Sequence, residues 1–309
     1  MLSPNLCGTL ANIAGGMMSA KAHGCSAWQR PRGFRVAVLV CVVVLAAPAA
    51  AATRKTTPPT TCQRETVATG TVKTVVDGRT FVLADGREVR LAGIEAPPLP
   101  DPAAAPRDSA ESQADPGLAA AAALRALIGG REVELRHPKP VTDRYGRLTA
   151  DAAVAGGEPA SVIKALLSQG LVRLAALAVA PACTADWSTA ERAARAAKLG
   201  LWGDPRYFPK AADDPAGVLA ERGRFTLVEG KVVSVRESGG TIYVNFGQRW
   251  SEDFTVTILK RNERQFTAAG LAVRSLAGRR VLVRGWIEQR GGPWIAATGP
   301  EQIEVIADR

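Results

Sequence analysis

The sequence predicts a mainly β protein with added helices (α+β), built as a five-stranded barrel carrying three helices and followed by a second, smaller barrel. Three observations carry that prediction. Short stretches of alternating apolar and polar residues, punctuated by glycine turns, recur between Thr66 and Val154. Helical patterns with recognisable caps and stops interrupt and follow them. Beyond a Pro/Asp-containing stretch the alternation resumes and runs to Thr298. At 309 residues, 47% hydrophobic and 22% charged, the chain is long enough to bury two cores.

Residues 1 to 52 contain no acid and only Lys21, Arg30, Arg32 and Arg35, all ahead of the apolar run Val36 to Ala47. Pro48 and a run of small residues follow. A basic lead, a short apolar core and an A-x-A-like end predict a Sec-type signal peptide cleaved near Ala50 or Ala52, hence an exported protein, periplasmic or secreted. The alternative is an uncleaved anchor, because Val36 to Ala52 sits at the lower length limit for a membrane span. With cleavage, no stable span remains.

A Thr/Pro-rich lead, residues 53 to 65, precedes the first barrel, which is read as residues 66 to 204. Thr66 to Val76, Thr80 to Leu83 and Val89 to Ile94 alternate as three strands, and Asp85-Gly86 between the last two is a strong hairpin signal. Pro98 to Pro116 reads as a long polar loop, Leu118 to Ile128 as a helix stopped by Gly129-Gly130. Arg131 to Arg136 and Leu148 to Val154 supply strands four and five. Ala160 to Leu167 is a second helix, ended by Gln169-Gly170. Ser188-Thr-Ala-Glu191 has the form of a capping box that opens a third helix to about Lys198. This order of elements matches an OB-type barrel.

Residues 205 to 223 read as a linker by composition, and residues 224 to 309 as a second, OB-like barrel. Its strands are placed at Leu227 to Val235, Thr241 to Phe246, Phe254 to Ile258, Val281 to Trp286 and Trp294 to Thr298, with a helical piece at Asn262 to Ala269. The aromatics of this half, among them Tyr243, Trp250, Trp286 and Trp294, either stack nucleic-acid bases beside basic residues or fill the core and the joint with the first half.

The formal net charge is +10 and stays positive once the four basic residues of the lead are removed, which favours polyanionic partners. Only His23 and His137 are present, the first lost with the leader, and two lone thiols with no histidine nearby make a poor metal or nucleophile site. After loss of Cys7, Cys25 and Cys41 the mature chain keeps Cys62 and Cys183, most simply one disulfide in an oxidising compartment. Closing so long a loop stabilises by about 4 to 5 kcal/mol in the chain-entropy picture.

Two motifs point to function: Val75 to Pro97, reading VVDGRTFVLADGREVRLAGIEAP, and Asp143 to Leu148, reading DRYGRL. Together, and with the closing Gly200-Leu201-Trp202, they resemble the thermonuclease (staphylococcal-nuclease-like) family over about Val67 to Trp202. That resemblance implies an OB barrel and calcium-dependent hydrolysis of DNA or RNA phosphodiesters. Carried over by position, Asp77 and Glu95 fall on metal-ligand positions for Ca2+. Thr80 ends the D-G-D-T turn, Arg90 and Arg147 are the phosphate arginines, and Tyr145 is the tyrosine beside the nucleotide. Two positions depart. Arg79 stands where the family has a second metal-binding acid, and Pro98 where it has the general-base glutamate.

Metal-assisted hydrolysis needs carboxylates for the ion and a base or positioned water. Here two carboxylates face three arginines, Arg79, Arg90 and Arg147, so calcium binding is expected to be weak or absent. Either Arg79 takes over the charge of the metal and makes a metal-free phosphate pocket, or Arg79 and Glu95 pair as a salt bridge and the pocket is vestigial. A base from Asp101, Asp108, Glu111 or Asp115 in the loop after Pro98 is a third possibility. The reading is therefore a weak nuclease or a pseudonuclease that binds nucleic acid or another polyanion, with a non-catalytic envelope interaction protein of unknown partner as the alternative.

Overall fold

The computed structural model describes residues 65–101, 115–156, 161–175 and 181–306. Residues 1–64, on which the expected signal peptide, Cys62 and nearly all of the Thr/Pro-rich stretch fall, and most of the loop after Pro98 lie outside the described residues. The described residues all fall within one compact unit.

Five strands close the barrel: β1 (Thr66–Val75), β2 (Thr80–Leu83), β3 (Glu88–Leu91), β5 (Glu132–Thr142) and β6 (Leu148–Val154), in the order β1-β2-β3-β6-β5. The two-residue strand β4 (Ile94–Glu95) follows β3 and pairs with β7 (Arg173–Leu174) outside the barrel. The hairpin of β2 and β3 turns at Gly86, whose φ of 87° is open to glycine and disfavoured for side-chain-bearing residues. β3 runs parallel to β6, pairing Arg90 with Thr149. Inward residues Val72, Phe81, Leu83, Val89, Leu91 and Leu135 fill the barrel.

Three helices cover it. α1 (Pro116–Ile128) opens with Asp115, whose carboxylate accepts from the backbone N–H groups of Gly117 and Leu118. α2 (Val162–Ser168) opens with Ser161, which caps Lys164 and donates to buried Asp151. α3 runs from Pro181 to Ala196. The capping box expected at Ser188 is therefore not formed: Ser188 and Glu191 both lie well inside this helix, and Glu191 serves the joint between the halves instead.

Residues 205 to 223, read as a linker, instead hold the short strand β8 (Lys210–Ala211) and helix α4 (Pro215–Leu219). β8 runs parallel to β9 (Phe225–Lys231), so the segment is built into the second half. There follow β10 (Ser234–Ser238), β11 (Thr241–Asn245), β12 (Thr255–Leu259), α5 (Glu263–Ala268), β13 (Arg280–Trp286), β14 (Glu288–Arg290), β15 (Gly292–Ala297) and β16 (Ile303–Ile306). They make a five-stranded sheet, β10-β11-β12-β15-β14, and a four-stranded sheet, β16-β13-β9-β8. Val228, Ile242, Val256, Phe254, Phe266 and Ile295 form its core. Phe225 and Phe246 are buried too, whereas Trp250 is 76% exposed and Trp286 50% exposed, so the aromatics divide between core and surface.

The two halves meet at a third apolar cluster, Ala175, Ala194 and Trp202 against Phe225, Leu227 and Leu282. At its centre Arg284, 1% exposed, donates to Glu191 at 2.7 Å and to the Leu174 carbonyl at 3.1 Å. The other oxygen of Glu191 accepts from the Leu174 N–H at 2.7 Å. Glu304 on β16 adds a longer ion pair with Arg284 at 3.6 Å and takes Arg195 at 3.2 Å. Among the described residues no helix is long and apolar enough to cross a membrane.

Candidate phosphate-binding site

The turn between β1 and β2 sets the site. Asp77 folds back so that its carboxylate accepts from the Arg79 backbone N–H at 2.8 Å, a local bond that competes with strand pairing and so makes a turn. Gly78 lets this turn lie against α1, since a Cβ there would stand 2.6 Å from the Ala120 Cβ and 3.0 Å from that of Ala96. Thr80, next in line, opens β2, pairs in register with Arg90 of β3, and is buried with its hydroxyl unpartnered.

The turn projects Arg79 towards β4. Its guanidinium donates to the Ile94 carbonyl at 3.2 Å and forms a close ion pair with Glu95 Oε2. Glu95 Oε1 faces Arg90 at 3.7 Å. A single carboxylate is thus shared between two arginines. Burial holds the Arg90 pKa below the ordinary arginine value, and the positive charges of Arg79 and Arg147 push it the same way against Glu95. The three guanidiniums therefore share one electrostatic neighbourhood.

Arg147 arrives from the hairpin of β5 and β6. Asp143 Oδ1 accepts the N–H groups of Tyr145 and Arg147, closing the hairpin, while Oδ2 takes the Arg147 guanidinium at 2.7 Å. That hydrogen bond raises the Arg147 pKa. Glu88 stands 3.7 Å away on the other side. Tyr145 is not drawn into the site: it is 66% exposed, with the Arg144 and Arg147 guanidiniums 4.7 and 5.1 Å from its ring centre. Its family-derived role beside a nucleotide requires a ligand that reaches out over the hairpin.

The residues do not fit a calcium ion. Such an ion takes 6 to 8 oxygens, whereas both oxygens of Glu95 are engaged by guanidiniums and Asp77 Oδ1 is engaged by a backbone N–H. Arg79 also brings a positive charge against Glu95, one of the two carboxylates expected to hold the ion. Of the two alternatives for Arg79, the pair with Glu95 is the arrangement found, and Arg147 is in turn paired with Asp143 and, at longer range, Glu88. Pro98 is exposed and brings no titratable group. Among the acids considered as a substitute base, Asp115 is used as the cap of α1, and Asp108 and Glu111 lie outside the described residues.

Beside this turn opens a cleft of about 740 Å³, walled by Asp77, Arg79, Glu95 and Pro98 on the barrel side and by Phe225 and Trp286 of the second half. Its floor holds Arg173, a residue that local sequence reading passes over because a lone arginine in a two-residue strand carries no pattern.

Residues 88–204 match the family described as staphylococcal nuclease homologue. No curated protein matches the chain. The matched stretch contains Arg90, Glu95, Tyr145 and Arg147 and the helices that pack on the barrel, while the Asp77 to Thr80 turn lies just upstream of it. With the closed five-stranded barrel and its three covering helices, the chain carries a domain of the staphylococcal nuclease homologue family.

Proposed function

We propose that this is an exported pseudonuclease of the thermonuclease family, whose arginine face holds the phosphates of nucleic acid or a related polyanion without calcium-dependent cleavage. The observation that carries the reading is the sharing of Glu95 between Arg79 and Arg90. It removes the carboxylate a metal would need and keeps guanidiniums, Arg90 among them, at the position where the family handles phosphate. Guanidiniums suit this task, because their planar donor array matches phosphate oxygens and stays charged at all relevant pH. The second half, two sheets around a common core, is read as an OB-like module that extends the surface with exposed Tyr243 and Trp250.

Fluorescence anisotropy with single- and double-stranded DNA and RNA, titrated with salt, tests it. Affinity is expected to fall steeply with salt, and Arg90→Ala with Arg147→Ala to flatten the log-affinity against log-salt slope by roughly 2, about one for each phosphate no longer held. Indifference to both salt and substitution rejects the proposal. Capture of an envelope protein with no nucleic-acid shift supports instead the reading as an interaction protein.

Export and the disulfide belong to the same proposal. Cys183 is buried in α3 and disulfide-bonded, and every other cysteine lies outside the described residues. Pairing with Cys62 is the inference, since Cys62 alone remains after leader cleavage. Non-reducing mass spectrometry of the native protein is expected to show a chain starting near Ala52 and a mass two hydrogens below the reduced form. An intact leader or two free thiols counts against it.

A further inference from the structure

Arg173 is 8% exposed, its side chain makes no hydrogen bond or ion pair among the described residues, and its Nε is buried without a partner. Its guanidinium lies between the Tyr207 and Phe225 rings, 5.3 and 5.2 Å from their centres. Burial pushes its pKa below the ordinary value, and Glu95, Glu191 and Glu221 offset that only at a distance. A buried, unpaired cation is a costly arrangement unless an anion completes it. The other cleft arginines are already satisfied: Arg79 by Glu95, Arg206 by Asp204 at 2.6 Å and Arg224 by Glu221 at 3.5 Å. Among the described residues, Arg173 is thus the cleft arginine without an ion pair.

The walls supply the rest of the ligand's description. Trp286 meets Phe225 edge to face, with ring centres 6.2 Å apart, and half of its surface stays open. Leu99 and Phe208 are exposed at the same cleft. An occupant therefore combines one anionic group with a flat apolar body, in a volume ordinary for small-molecule sites. We propose that the cleft holds one nucleotide unit, its phosphate against Arg173 and its base on the exposed ring of Trp286.

A free mononucleotide and the end of a single strand both present that chemistry. The inference takes its ligand class from the polyanion reading but rests on different residues, so the two fail separately. Titration calorimetry of the full mature protein with adenosine 5′-monophosphate, inorganic phosphate and a short single-stranded oligodeoxyadenylate tests it. Arg173→Met and Trp286→Ala are each expected to weaken nucleotide binding by about tenfold or more, as removing a phosphate ligand or a base stack does. Inorganic phosphate is expected to bind more weakly than the nucleotide. Binding of the oligonucleotide but not the monophosphate, still sensitive to Trp286→Ala, assigns the cleft to strand ends.

No heat with either nucleotide ligand overturns the inference, as does phosphate binding that gains nothing from the base. So does binding untouched by Trp286→Ala, a half-exposed position whose loss leaves the fold standing even if Arg173→Met does not fold. The Arg90→Ala plus Arg147→Ala variant separates the two readings. Oligonucleotide affinity lost there but insensitive to Trp286→Ala leaves the polyanion surface standing and the cleft refuted; the reverse pattern keeps the cleft and refutes the surface.

Discussion

Replacing Glu191 by alanine is expected to remove about 3 to 5 kcal/mol of stability, enough to unfold a large fraction of molecules near physiological temperature. The reason is the asymmetry between making and breaking a buried pair. With Glu191 gone, Arg284 keeps its charge in a 1% exposed position, with only the Leu174 carbonyl and the more distant Glu304 to offset it. The Leu174 N–H loses its acceptor as well. Arg284→Ala is expected to fall in the same range, because it strands the Glu191 carboxylate. Replacing both by apolar residues of similar size, Glu191→Leu with Arg284→Met, is expected to recover most of the loss, since neither desolvated charge remains. Urea unfolding of the four proteins measures this. Single-variant losses under about 1 kcal/mol, within the range of exposed pairs, exclude a stabilising role for the joint.

The second large effect is electrostatic and concerns the metal. Arg79→Asp, combined with Pro98→Glu, is expected to confer calcium affinity at least about tenfold above that of the native chain. Exchanging a cation for an anion at close range shifts the local energy of a divalent ion by several kcal/mol at the effective dielectric of a protein surface. It also releases Glu95 Oε2 from its ion pair. Titration of both proteins with calcium, followed by a nuclease assay with calcium or EDTA, measures affinity and activity separately. The native chain is expected to show no calcium-dependent cleavage above background. Cleavage by the native chain would place a working base and ligand set on residues other than Asp77 and Glu95.

Much of the barrel is legible in the sequence because it is local. The Asp85-Gly86 hairpin, the turn at Asp77 and the Asp143 to Arg147 hairpin are each set by hydrogen bonds within a few residues. Strand ends that depend on partners are less so. β5 runs on to Thr142, beyond the alternation that ends at Arg136, because it pairs with β6 on both sides of an irregular register. β8 is too short to show a period and exists through its parallel pairing with β9. Ser188 and Glu191 have the spacing of a cap, yet that spacing also occurs in the middle of any helix; only the position of Arg284, 93 residues further on, says what Glu191 is for. Arg173 is hidden for the same reason, since its setting is made by Tyr207 and Phe225, far from it in sequence.

The joint also ranks the steps of folding. Its buried pair links residues 93 apart in sequence, and the apolar cluster around it sets Ala194 and Trp202 against Leu227 and Leu282. Closing contacts of that separation costs more chain entropy than closing the local hairpins of the barrel. Docking of the halves is therefore expected to follow formation of the barrel, with the uncovered carboxylate and apolar surface the part most prone to misassociate before it.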